Sequence, residues 1–137
     1  MTIYNATSGH PISGVTLSSG DFGFVSSGGT ASDVLLKDGS ALTVFSGGVA
    51  SFTTLSGGFD YISSGGSAVH TVLGGGTEAI YGGGTASFSV VSANGGQAIY
   101  SGGKAVGTVL SGGLEAVYSG GSANGTFVSA GGGDRNE

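Results

Sequence analysis

The chain has 137 residues, enough for one ordinary domain, yet 32 are glycine and only 8% are charged. Its formal charge is −5 and its only cations are Lys37, Lys104 and Arg135, so it has no basic cluster to track phosphates; this argues against nucleic acid and acidic lipid as partners. It has no cysteine, hence no disulfide and no thiolate metal site, and no apolar run nears the roughly 20 residues that span a bilayer, so membrane insertion is not expected.

Residues 1–19 are the least regular part. Ile3, Tyr4, Ile12, Val15 and Leu17 can lay a strand across whatever follows, and Pro11, the only proline, suits an edge because it cannot donate to a ladder. This stretch is expected to be a partial N-terminal cap. It has neither the cationic nor the apolar region of a Sec signal, so export would need a signal elsewhere or another route.

From Gly20 to Gly132 the chain repeats. Registered on the second glycine of alternate turns, the series is Gly29, Gly48, Gly66, Gly84, Gly103 and Gly121, with steps of 19, 18, 18, 19 and 18 by subtraction. Two positions on stands Ala31, Ala50, Ala68, Ala86, Ala105 or Ala123. Five on stands Val34, Thr53, Thr71, Ser89, Thr108 or Thr126, and seven on Leu36, Leu55, Leu73, Val91, Leu110 or Val128. Self-similarity at a fixed period of this length marks a solenoid. Glycines spaced among Val, Leu, Ile, Phe and Tyr also let the chain bury apolar surface, which a disordered Gly/Ser linker cannot do.

Each period holds a shorter run (21–25, 40–45, 59–62, 77–81, 97–100, 114–118) and a longer one that begins at Thr30, Val49, Ser67, Thr85, Lys104 or Ser122. Gly-Gly turns between them break any helix, and β-branched and aromatic runs between turns read as strands. The columns match within each run class and differ between classes. Like stacked on like explains that, so a parallel coil is preferred to an antiparallel meander, with coils at the ordinary strand spacing of about 4.8 Å. Period-2 alternation puts the Thr and Leu columns on one inward face; the Ala column is off that parity, so the chain must bend between Ala and Thr. In the shorter runs Ile80, Ile99 and Val117 face in, and Tyr81, Tyr100 and Tyr118 face out as an aromatic ladder. Two extra residues at Ala93-Asn94 predict a small bulge. The charged residues 134–137 form a tail that blunts the last coil or marks a cut in a longer array.

Residues with chemistry are few. Asp60, Glu78 and Glu115 share a column, with Ala98, next to Gln97, in the gap. They read as a solvated acidic stripe: two exposed like charges about 5 Å apart repel by only about 1 kcal/mol in water, so neither a calcium site nor an acid pair is required. His70 falls between Phe52 and Phe88 and reads as a rung of an aromatic ladder; His10 has no companion ligand, so no metal site is expected. No catalytic constellation is present, and no cofactor is called for. The tyrosine ladder has two readings: cross-strand stacking that stiffens the sheet, or a platform for sugar rings or a second rod.

The stretch 102–121, G-G-K-A-V-G-T-V-L-S-G-G-L-E-A-V-Y-S-G-G, resembles the strand–loop–strand repeat of AIDA-type autotransporter passengers, and the resemblance runs through 20–132. It implies an all-β fold, a right-handed parallel β-helix of about six coils, displayed on the bacterial cell surface for adhesion or self-association. It also implies serines O-heptosylated by a dedicated heptosyltransferase. On this chain the acceptors are serines that open Gly-Gly turns: Ser46, Ser56, Ser101, Ser111 and Ser119. Gly74, Gly82 and Asn94 depart from the pattern at three other turns. Three classes of function follow: a non-enzymatic adhesive solenoid whose partner is a second copy of itself or a surface glycan; a carbohydrate-binding or carbohydrate-active β-helix; and, remotely, an ice-binding solenoid, which needs two Thr columns where one is present.

Overall fold

The computed structural model describes residues 1–129 and the backbone of 133–136. It is a parallel β-solenoid of about seven turns, without a helix among the described residues. Three parallel sheets form its walls. The first has eight strands, from Ile3–Ala6 through Phe22–Val25, Ala41–Val44, Phe59–Ile62, Thr77–Ile80, Gly96–Ile99 and Leu114–Val117 to Gly133–Asn136. The second runs from Ile12–Ser13 to Ser122–Asn124 and the third from Thr16–Leu17 to Phe127–Val128, seven strands each. The shorter run of each period is therefore one strand, and the longer run is broken into two. Residues 1–19 follow the same three-strand order as the later coils, and 133–136, expected as a tail, pair in parallel with Leu114–Val117.

The registers place like on like. Ala31, Ala50, Ala68, Ala86, Ala105 and Ala123 are successive partners in the second sheet. Leu36, Leu55, Leu73, Val91 and Leu110 are partners in the third. Ala50, Thr53 and Leu55 all face the core, with Ser51 and Phe52 outside between the first two. The expected change of parity falls on the residue before the Thr column, where φ is positive: Asp33, Phe52, His70, Phe88, Gly107 and Gly125. The left-handed conformation there turns the corner, and the N–H groups of Phe52, His70 and Phe88 still donate to the next coil, at Val69, Ser87 and Val106 O.

The Gly-Gly turns stack as a ladder of their own. The amides of Gly28, Gly47, Gly65, Gly83 and Gly102 each donate to the carbonyl of the equivalent glycine one coil on, up to Gly120. The second glycine is required for a different reason: it lies against the coil below. A Cβ on Gly48 would stand 2.5 Å from Val25 O, and one on Gly66 2.5 Å from Val44 O. The bulge at Ala93-Asn94 is a turn that delivers Gly96, not Gln97, to the start of the next strand.

Candidate functional site

The acidic stripe lies inside the solenoid, and this overturns the solvated reading. Asp60, Glu78 and Glu115 are completely buried, and the column runs Leu42, Asp60, Glu78, Gln97, Glu115, so Gln97 and not Ala98 fills the gap. The cause is strand parity. Asp60 stands two before Ile62, Glu78 two before Ile80, Gln97 two before Ile99 and Glu115 two before Val117, all on the inward side of the sheet.

A repeating bond across the core holds most of this column. Ser89 Oγ donates to Glu78 Oε2 at 2.9 Å, Thr108 Oγ1 to Gln97 Oε1 at 2.9 Å, and Thr126 Oγ1 to Glu115 Oε2 at 2.8 Å. Each spans 11 residues of a single coil. Three hydroxyls of the Thr column, those of Ser89, Thr108 and Thr126, thus find side-chain acceptors, where stacked hydroxyls or coil backbone were expected. Along the axis Gln97 Nε2 donates to Glu78 Oε2 at 2.6 Å. Asp60, one methylene shorter than glutamate, does not close the bond to Thr71, and both of its oxygens lack a hydrogen-bond partner. Thr53 falls opposite Leu42 by the same offset, and its hydroxyl is likewise unpaired. Burial, then the neighbouring Glu78 charge, pushes the Asp60 carboxyl well above its ordinary range. Burial raises Glu78 too, against the opposing pull of Gln97, Ser89 and Thr71. These carboxyls are internal structure, out of reach of a substrate.

With those acids inside, the outer wall carries little charge. Over residues 1–129 the outward-facing charges are three acids (Asp21, Asp33, Asp38) against two lysines (Lys37, Lys104), a formal balance of −1. Exposed aromatic rows take their place. Tyr81 stacks on Tyr100 at 5.0 Å and Tyr100 on Tyr118 at 4.9 Å, with planes 7° and 4° apart. Tyr61, Phe59, Phe24 and Phe45 continue the band over earlier coils. Burial first, then the flanking Tyr81 and Tyr118, raises the Tyr100 phenol. Because the tyrosines cover one another's faces, the middle ring offers solvent its edge and its hydroxyl. A sugar ring stacks on an aromatic face, so this ladder is poorly built as a glycan platform.

A second row stands on the corner between the second and third sheets. His70 stacks between Phe52 (5.2 Å) and Phe88 (5.5 Å), as the ladder reading expected. All three hold φ between 56° and 59°, a region that a bulky L residue rarely occupies. At roughly 1–2 kcal/mol per residue the strain totals roughly 3–6 kcal/mol. Two ring contacts return about 0.5–1.5 kcal/mol each. Burial does not make up the difference, since Phe52 is 56% and Phe88 53% exposed.

The five serines singled out as acceptors are all exposed and fall on two different corners. Ser46, Ser101 and Ser119 open the turn between the first and second sheets, whereas Ser56 and Ser111 lie where the third sheet returns to the first. Ser8, Ser27 and Ser64 occupy the same turn position as Ser46 and are equally exposed; the Ser-Gly-Gly at 27–29 and 64–66 was the signal for two of them. Gly82 interrupts this column. Over the hydroxyls of Ser27, Ser46, Ser64 and Ser101 lies a positive-φ glycine of the next coil. A Cβ on Gly47, Gly65, Gly83 or Gly120 would come within 3.0 Å of the Oγ of Ser27, Ser46, Ser64 or Ser101.

No protein-family model and no curated protein matches this sequence. Among solved structures, a crystal structure of a TibA fragment hyper-glycosylated in a TibC-catalysed reaction is similar, at 24% identity over 98% of this chain and 78% of that one, with a TM-score of 0.43. A likeness of this degree says nothing of activity or partner.

Proposed function

We propose that this chain is a structural and adhesive segment of an exported bacterial surface protein, acting without catalysis by homotypic association along its outer wall. The observation that carries the reading is the distribution of side chains: Asp60, Glu78 and Glu115 are turned into the core while aromatic rows are left outside on a nearly uncharged surface. Rows of exposed large apolar side chains suit a contact surface, and copies of so weakly charged a wall repel one another little. The strand–loop–strand resemblance of 20–132 supports the surface location.

The serine turn column is the proposed place for O-heptosylation by a transferase supplied in trans. Ser46, Ser101 and Ser119 are the acceptors, and Ser8, Ser27 and Ser64 join them by position. Ser56 and Ser111 form a second, separate group. A surface glycan is the less favoured partner, since the stacked tyrosine faces are already occupied.

Sedimentation velocity of the whole chain across a wide concentration range tests the association: a mass that rises with concentration is expected, and a monomer throughout refutes it. Co-expression with a heptosyltransferase, followed by intact-mass measurement and site mapping, tests the acceptors independently. Modification confined to residues outside these turns would remove that part.

A further inference from the structure

Phe52, His70 and Phe88 occupy a position that this chain itself shows to be better suited to glycine. The same column continues as Gly107 and Gly125, with φ of 69° and 72°. Gly107 also makes room for its neighbour, since a Cβ there would stand 2.9 Å from the Phe88 ring. Three large rings are thus held in a strained conformation, mostly in water, where glycine would close the same corner without strain. Strain of this kind persists where a site needs it. The outward residues beside the ridge are small or apolar: Ser51, Val69, Ser87 and Val106 on one side, Thr54, Val72, Val90 and Val109 on the other.

We propose that this ridge is the surface through which two copies of the chain pair, antiparallel, with His70 on the two-fold axis. The inference rests on the homotypic association proposed above and assigns it a place. A second copy is the occupant because its rings rise by the same step, one per coil, so that the two rows stay in register along their length. The antiparallel sense follows from the order of the column. Phe52–His70–Phe88 reads the same in both directions, so an antiparallel pair, in which Phe52 of each copy meets Phe88 of the other, keeps ring against ring and is isologous. It also sets Asp33, two coils below His70, opposite Gly107, two coils above; a parallel pair would set Asp33 against Asp33.

The test joins association to stability in one set of variants. Phe52→Gly with Phe88→Gly is expected to weaken dimerisation at least tenfold while the unfolding midpoint holds or rises. Tyr100→Ser with Tyr118→Ser is expected to leave dimerisation unchanged. Because the chain has no cysteine, single cysteines report the geometry. Phe52→Cys mixed with Phe88→Cys should cross-link under mild oxidation, whereas Phe52→Cys alone should not, and His70→Cys should cross-link to itself. If the glycine pair lowers the folding midpoint, the cysteine mixture decides: a cross-link between the two variants upholds the ridge, and its absence overturns it. Wild-type dimers that survive the glycine pair unchanged overturn the ridge and leave the homotypic reading standing. A wild-type monomer at every concentration overturns both.

Discussion

Gln97 Nε2 donates to Glu78 Oε2 at 2.6 Å, from one coil to the next, inside the core of the solenoid. Gln97 Oε1 accepts from Thr108 as well, so this one amide closes two buried bonds. Gln97→Leu keeps the volume and removes both, leaving the Thr108 hydroxyl without its acceptor and Glu78 without its strongest support. A buried polar group stripped of its partner costs about 1–3 kcal/mol, so a loss of about 2–4 kcal/mol is expected. Because Gln97 favours the charged form of Glu78, the loss should be larger at neutral than at acid pH. Chemical unfolding at the two pH values measures it; an equal loss at both would detach Gln97 from the charge of Glu78.

Leucine two coils lower in the same column should act with the opposite sign. Asp60 shares its column with Leu42 on the preceding coil, and both Asp60 oxygens are buried without a hydrogen bond. Asp60→Leu removes an unpaired carboxyl and adds apolar volume next to a leucine, for a gain of about 1–3 kcal/mol. The unfolding midpoint should rise, and a fall would mean that Asp60 has a partner that its geometry does not reveal.

Much of the fold is legible in the sequence, because a solenoid repeats its packing instructions. The Ala, Thr and Leu columns, the bend between Ala and Thr, and the Ile80/Tyr81 division between inside and outside each recur coil after coil. The acids depart from expectation for a specific reason. Alternation places Asp60 with Ile62 and Glu78 with Ile80, but carboxylates are so seldom buried that their usual exposure outweighs parity when only the sequence is read. The partners that make the burial tolerable, Ser89 for Glu78 and Thr126 for Glu115, lie across the core 11 residues on, a distance at which no local pattern operates. The register at Gln97 also depends on how the Ala93-Asn94 turn absorbs its extra residues, which spacing alone leaves open by one position. Left-handed φ at Gly107 and Gly125 is foreseeable from glycine; at Phe52 and Phe88 it is not.

Two glycines that look alike in sequence should respond differently to alanine. Gly48 has an ordinary φ, but a Cβ there would stand 2.5 Å from Val25 O and 3.0 Å from Val25 Cγ1, so the coil below must shift. Gly74 also has an ordinary φ, and its nearest neighbour would be Leu55 O at 3.6 Å, a normal contact. Gly48→Ala is expected to lose about 1–3 kcal/mol through overpacking. Gly74→Ala is expected to gain about 0.4–1 kcal/mol by restricting the unfolded chain. Paired thermal melts check the contrast, and similar melts for the two variants would contradict the close approach of the coils at Gly48.

The pH dependence of stability follows from the same buried column. Asp60 and Glu78 are both raised above 3.8 and 4.5, first by burial. A carboxyl whose folded pKa exceeds its unfolded one binds its proton more tightly when folded. Its contribution is therefore complete below the unfolded value and is lost as the pH rises through the folded one, at about 1.4 kcal/mol for each tenfold difference in proton affinity between the two states. Asp21 runs the other way: the backbone amides of Ser18 and Thr2 donate to its carboxylate and hold it below 3.8. Its contribution is present above 3.8 and is lost as the pH falls through the lowered value. The unfolding midpoint should then climb as the pH is lowered toward the ordinary carboxyl values of 3.8 and 4.5 and turn down below them. Asp60→Leu should flatten the climb, and Asp21→Asn should soften the downturn. A wild-type midpoint that is level across the upper range would mean that Asp60 and Glu78 titrate alike in the folded and unfolded chains, which their complete burial does not permit.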